Sequence, residues 1–218
     1  MVELREFTQS KARPLPVILL ADVSGSMFAE GKIEALNEAV REMISSFAQE
    51  DDLRAEIHLA VITFGGTARL HTPLQPARDI RWTALSADGE TPLGAALKLA
   101  ADLIEDSNQI PSRASRPTVL LVSDGQPTGS WTDELTRLTQ DGRAQKADRI
   151  ALAIGADADE EMLRRFLADP EKRVFRAEDA GKIKSFFRFV TMSVTTRSRS
   201  ANPNQVPQMG DPFSLENF

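Results

Sequence analysis

Short apolar runs alternate along the chain with longer stretches in which apolar residues recur every three or four positions, the two periods that mark buried strands and amphipathic helices. Val17-Ile18-Leu19-Leu20-Ala21 has no polar alternation, which predicts a strand covered on both faces. After Gly31, the residues Ile33, Leu36, Val40, Met43, Ile44 and Phe47 form one stripe with Lys32, Glu34, Glu38, Arg41 and Glu42 between them, the pattern of a helix packed on a core. Residues 57–64 predict a second strand, and Gly65-Gly66 a hairpin into a short antiparallel edge strand over 68–72. Pro92 suits the opening turn of a helix carrying Leu93, Ala96, Leu97, Ala100, Leu103 and Ile104. The alternation continues with strands over 118–122, 150–154 and 174–175, and with helices from about 133, over 160–167, and from 180 to about 194.

Apolar runs separated by helix-length segments require crossover connections. The expected fold is therefore α/β: a doubly wound, mostly parallel six-stranded sheet with one short antiparallel edge strand and helices on both faces. The domain is expected over residues 14–194, after a lead-in of residues 1–13. From Thr195 the composition shifts to Ser, Arg, Asn, Pro and Gln without apolar periodicity, which predicts a flexible tail over 195–218.

Ligands of such sheets gather beyond the carboxyl ends of the strands, where strand order reverses. The first strand runs into Asp22-Val23-Ser24-Gly25-Ser26, and the strand ending at Val122 runs into Ser123-Asp124-Gly125. Thr91 stands at the mouth of the helix that begins near Leu93. Asp22, Ser24, Ser26, Thr91 and Asp124 are expected on one solvent-facing rim. Two acids and three hydroxyls make an all-oxygen set, which suits Mg2+, with Mn2+ or Ca2+ as alternatives, and does not suit zinc. Taken singly, the serines and aspartates also fit turn formation and helix capping.

Composition narrows the function classes. The 26 Lys and Arg residues against 32 Asp and Glu leave a net charge of −6, so no basic field exists to hold a nucleic-acid backbone. With Cys 0, disulfides, thiolate metal sites and cysteine nucleophiles are excluded, which favours a reducing, cytoplasmic setting. The longest apolar run, residues 16–21, is too short for a signal-peptide core or a membrane span.

The three ordered motifs, Asp22-Val23-Ser24-Gly25-Ser26, Thr91 in Thr91-Pro92-Leu93-Gly94, and Asp124-Gly125, resemble those of the von Willebrand factor A domains, also called integrin I-like domains. The resemblance implies a metal-ion-dependent adhesion site. In it Ser24, Ser26 and, in one conformation, Thr91 would bind the metal directly, Asp22 and Asp124 would act largely through water, and a partner protein's carboxylate would complete the shell. Glu90 departs from the pattern, standing where relatives often carry glycine; it reads either as a solvated loop charge or as a group that opposes an anionic partner or occupies the metal. Within the family, the Pro-Val-Ile-Leu-Leu-Ala-Asp opening is similar to bacterial cytoplasmic members associated with tellurium resistance, the TerY-like proteins. That likeness implies a stress-response complex with a kinase or phosphatase among its partners.

Other signals are weaker. Gly25 to Lys32 has the wrong spacing for a phosphate-binding loop, and Ile33 stands in place of its hydroxyl residue. His58 and His71 read as structural histidines. A Mg2+-dependent phosphohydrolase using Asp22 as nucleophile is the enzyme alternative, disfavoured because Ser24 occupies the place of a second acid. A scaffold binding through helix faces or the tail is the third reading, with Ser198 and Ser200 beside Arg197 and Arg199 as candidate phosphorylation sites.

Overall fold

The computed structural model describes residues 12–50 and 54–205. Its strands are β1 (Arg13–Asp22), β2 (Ala55–Gly65), β3 (Thr67–Pro76), β4 (Thr118–Ser123), β5 (Asp148–Ile154) and β6 (Phe175–Ala177). Its α-helices are α1 (Lys32–Ala48), α2 (Leu93–Glu105), α3 (Thr132–Gln140), α4 (Glu160–Leu167) and α5 (Ala180–Arg199). The strands form one sheet in the order β3-β2-β1-β4-β5-β6. β2 and β3 pair antiparallel, and every other neighbouring pair is parallel. The expected fold class is the observed one.

Strand alternation divides the core into two layers. Leu15, Val17, Leu19 and Ala21 of β1 face one side, where they join buried residues of α1 and α5 such as Leu36, Val40, Phe186 and Val190. Ile18 and Leu20 face the other side and pack with Leu93, Leu97, Leu138 and Phe166 from α2, α3 and α4. Because both faces are covered, the central strands carry near-continuous apolar sequence, which is why they were the clearest elements to read.

Two expectations change. The edge strand β3 is ten residues long rather than short. Its pairing with β2 shifts register twice, between Leu59 and Val61 and again before Ile62, and Thr72 is its one fully buried residue, so it lacks the apolar alternation of a half-buried strand. The last helix does not stop near 194 but continues to Arg199. There the helical stripe is carried by Ser193, Val194, Arg197 and Ser198, all buried, so a hydrophobicity pattern misses it. Arg197 is 1% exposed. Its guanidinium donates to the carbonyls of Pro203 (2.9 Å) and Arg116 (2.8 Å) and to Thr118 Oγ1, fastening the helix end to the start of β4. Ser198 is buried and its hydroxyl donates to the Thr195 carbonyl, so it offers no accessible phosphorylation site. Residues 206–218, where most of the expected tail lies, are outside the described residues.

The chain leaves β1 toward β2 on one side and later adds β4 on the other, so strand order reverses between β1 and β4. Asp22 closes β1 and Ser123-Asp124 follow at the end of β4, side by side at the switch point.

Candidate metal centre

Asp22 continues the Ile18–Leu20 face of β1, and Ser123 continues the Val119–Leu121 face of β4, so the two side chains meet. Ser123 Oγ donates to Asp22 Oδ2 at 2.6 Å. The other carboxylate oxygen, Oδ1, accepts from the Ser24 backbone N–H at 2.9 Å and from Ser24 Oγ at 2.6 Å, which bends the chain into the tight turn after β1. Ser24 Oγ lies 3.0 Å from Ser26 Oγ, and Ser26 Oγ donates to Asp124 Oδ1 at 2.6 Å. Lys32 Nζ donates to the remaining oxygen, Asp124 Oδ2, at 2.9 Å. Four of the five expected site residues thus form one continuous chain of oxygens.

Among the described residues, Thr91 makes no hydrogen bond to this chain of oxygens and is held through its backbone. Its carbonyl accepts from the N–H groups of Leu93 (2.8 Å) and Thr128 (2.9 Å), joining the start of α2 to the loop after β4. The loop before it is laced to the β1 and β2 loops: Asp88 N–H to Val23 O at 2.8 Å, Gly25 N–H to Gly89 O at 2.9 Å, and Gly66 N–H to Glu90 O at 2.8 Å. Gly89 has φ +75° and sits so close to Gly66 that a Cβ would come within 2.5 Å of its Cα. Gly94 is held equally tightly, its missing Cβ falling 2.3 Å from the Ser130 carbonyl. The positive φ of this loop belongs to Gly89, not to Glu90, so the side chain at 90 causes no backbone strain and is exposed.

The expected solvent-facing rim is instead a buried floor. Asp22 is 0% exposed, and Ser24, Thr91 and Asp124 are also buried, while Ser26 reaches the surface. The physical reason is that the loops from β1, β2 and α2 close over the strand ends. Burial pushes the Asp22 carboxyl above the ordinary carboxylate range; hydrogen bonds from Ser123 and Ser24 oppose this, and the charge of Asp124 adds to it.

The donor set fits a hard divalent cation. A hydroxyl carries one proton. Ser24 gives its proton to Asp22 and Ser26 gives its proton to Asp124, so the 3.0 Å contact between the two serine oxygens has no proton left to bridge it while both carboxylates are ionised. The chain is one positive charge short. Oxygens bound side by side on an octahedral Mg2+, at about 2.1 Å from the ion, lie about 3 Å apart, which matches the Ser24–Ser26 spacing.

The sequence reading missed three neighbours. Ser123 fixes the second oxygen of Asp22, and its signal was strand alternation with Leu121. Lys32 is the first residue of α1, where the helix dipole favours acids; a lysine there was a sign that another group holds it. Phe28, in the short 3-10 helix Gly25–Gly31 that also carries Ser26, is 75% exposed, and an isolated aromatic in so short an element gave no periodic signal. The two histidines lie apart from the centre in chemistry: His58 pairs with Glu56 and His71 with the Thr83 carbonyl.

Residues 17–189 match the von Willebrand factor type A domain. Human inter-alpha-trypsin inhibitor heavy chain H6 is 27% identical over 195 residues, which is 81% of this chain and 14% of the heavy chain. The chain therefore spans a small part of the curated relatives it matches. Among solved structures, a von Willebrand factor type A protein from Catenulispora acidiphila superposes with a TM-score of 0.64 at 21% identity, over 86% of this chain and 43% of that one. Proximal thread matrix protein 1 from the mussel byssus, in a structure with a zinc-occupied MIDAS motif, gives 0.65 at 16% identity, over 83% of this chain and 48% of that one.

Proposed function

Because the chain belongs to the von Willebrand factor type A family, we propose that it is a binding module that holds Mg2+ at Asp22, Ser24, Ser26, Thr91 and Asp124 and uses the ion to take up an Asp or Glu side chain of a partner protein. One observation carries this reading: the contacts Asp22–Ser24, Ser24–Ser26 and Ser26–Asp124, at 2.6, 3.0 and 2.6 Å, share only two hydroxyl protons while both carboxylates are ionised, so one contact is left unbridged. A cation satisfies that contact. The bound metal supplies a Lewis-acidic position for the partner's carboxylate. The chain's own residues supply the rest: hydroxyl ligands that leave much of the ion's charge uncancelled, and an Asp22 carboxylate locked in place by Ser123. Phe28, two residues after Ser26, is an exposed aromatic ring that could add an apolar contact to a partner.

The mussel protein's zinc supports divalent-cation binding by this kind of motif in this fold. Mg2+ is the choice for this chain because every proposed ligand is a hydroxyl or carboxylate oxygen. Binding rather than catalysis is the role, since the place two residues after Asp22 is filled by Ser24, whose proton is held by Asp22 itself. The finer reading, a cytoplasmic TerY-like member of a tellurite-type stress complex with a kinase or phosphatase partner, rests on the apolar 16–22 opening and the cysteine-free composition.

The test is affinity capture from the native host's lysate with the purified chain, in Mg2+ and in EDTA, with Ser24→Ala in parallel. The expected result is a protein captured by the wild type in Mg2+ and lost both in EDTA and on Ser24→Ala. Equal capture under all conditions moves the interface to helix faces or the tail.

A further inference from the structure

We infer that Lys32 is a built-in counter-cation that competes with the divalent ion for Asp124 and thereby sets the affinity of the metal centre. This deepens the proposed site and rests on that reading. The Lys32 ammonium lies 2.9 Å from Asp124 Oδ2, with side-chain exposures of 14% and 0%. The pair is therefore shielded from the solvent screening that makes most surface ion pairs weak.

The position of Lys32 is not explained by its own helix. It opens α1, where the aligned peptide dipoles repel a cation. Its place is set by tertiary contacts. Beyond Asp124, the end of the side chain passes Gly155, which has φ +75° and whose missing Cβ would stand 3.5 Å from Nζ. A bulkier residue at 155 would meet the ammonium directly.

The charge count gives the pair its consequence. Asp22 and Asp124 are two buried carboxylates, and the one ammonium in the cluster pairs with Asp124, so while both acids are ionised the metal-free centre carries a single uncompensated negative charge. A divalent ion turns that into a single positive charge, and every ion that enters is opposed by Lys32. The same residue lines a small cleft of about 20 Å³ with Glu30, Glu178 and Asp179. Two of these acids are already engaged, Glu178 by the Lys182 ammonium at 2.8 Å and Asp179 by the Lys182 backbone N–H at 2.9 Å, so Asp124 is the carboxylate that holds Lys32 in place. Lys32 accordingly keeps the empty centre folded and the loaded centre reversible.

Calorimetry of the full chain with MgCl2, and Mn2+ binding followed by electron paramagnetic resonance, test this on the wild type, Lys32→Met, Lys32→Arg and Ser24→Ala. Lys32→Met keeps the stem and removes the charge. It is expected to bind both ions about tenfold more tightly or better, the Coulomb effect of one charge on a divalent ion a few Å away even with water-like screening. Lys32→Arg is expected near the wild-type value. A second readout is thermal: the Tm of metal-free Lys32→Met falls, and the rise produced by Mg2+ exceeds that of the wild type. Unchanged or weaker metal affinity in a folded Lys32→Met overturns the inference while leaving the site reading intact. If that variant folds only with metal, folding at Mg2+ concentrations below the wild-type Kd supports the inference and folding only above it overturns it. Binding that is absent from the wild type, or that survives Ser24→Ala, defeats the site reading and this inference with it.

Discussion

At Asp22, burial and hydrogen bonding act in opposite directions on one carboxylate. Desolvation raises its pKa, the hydroxyls of Ser123 and Ser24 lower it, and the net shift is upward. A raised folded-state pKa means that the native, metal-free chain binds more protons than the unfolded chain between the ordinary Asp value of 3.8 and the folded value. The contribution of Asp22 to metal-free stability is thus greatest on the acid side and declines as pH rises through that window. Metal binding runs the other way, because the ion takes the ionised form. The prediction is that Mg2+ uptake releases a proton when the pH is within this window and that apparent affinity climbs with pH before levelling off. Calorimetry in buffers of different ionisation enthalpy measures the release; affinity that falls as pH rises would contradict it. The burial of Asp22 also fixes the choice of variant. Asp22→Ala leaves the Ser123 and Ser24 hydroxyls without their acceptor in a closed space, at a cost of about 1–3 kcal/mol, so Asp22→Asn separates metal binding from folding more cleanly.

Among the secondary-structure elements, legibility followed the chemistry of burial. β1 and β4 are covered on both faces, so their cores read as apolar runs that stop at Asp22 and Ser123, and those stops marked the site. α4 was delimited to the residue because its apolar stripe is bounded by Asp159, whose side chain accepts from the Met162 N–H. The end of α5 was not legible, because the side chain that anchors it is an arginine whose value lies in hydrogen bonds to Thr118, Arg116 and Pro203. For Lys32 only the misplaced cation at a helix N-terminus was legible; its partner was not, because an ion pair between residues 32 and 124 has no local sequence signature. The α5 anchor carries its own prediction. Arg197→Ala leaves two carbonyls and a hydroxyl without their donor in a closed space, and should lower stability by about 3 kcal/mol or more in urea unfolding. Mg2+ affinity should be unchanged in the folded variant, since Thr118 opens β4 and the metal centre lies at its far end. A stability loss under about 0.5 kcal/mol, the range of ordinary surface substitutions, would show that the helix end is not held by this residue.

On the scale of the whole molecule, two packed layers hold one sheet whose switch point gathers loops from β1, β2, α2 and β4. Among the described residues, no helix is long and apolar enough to cross a membrane. The chain carries a net charge of −6, so a divalent ion at the proposed centre would be a local positive charge on an acidic molecule. On the proposed function, an acidic partner would be attracted at the ion against the general repulsion of a negatively charged chain. The relatives place comparable domains within longer chains, of which this one spans a small share. The most direct measurement is anomalous diffraction from crystals of the chain grown with Mn2+. A single strong peak in contact with Ser24 Oγ and Ser26 Oγ, beside the Asp22 and Asp124 carboxylates, is the predicted result. Full occupancy elsewhere with none at the two serines, or no bound ion at saturating Mn2+, would contradict it.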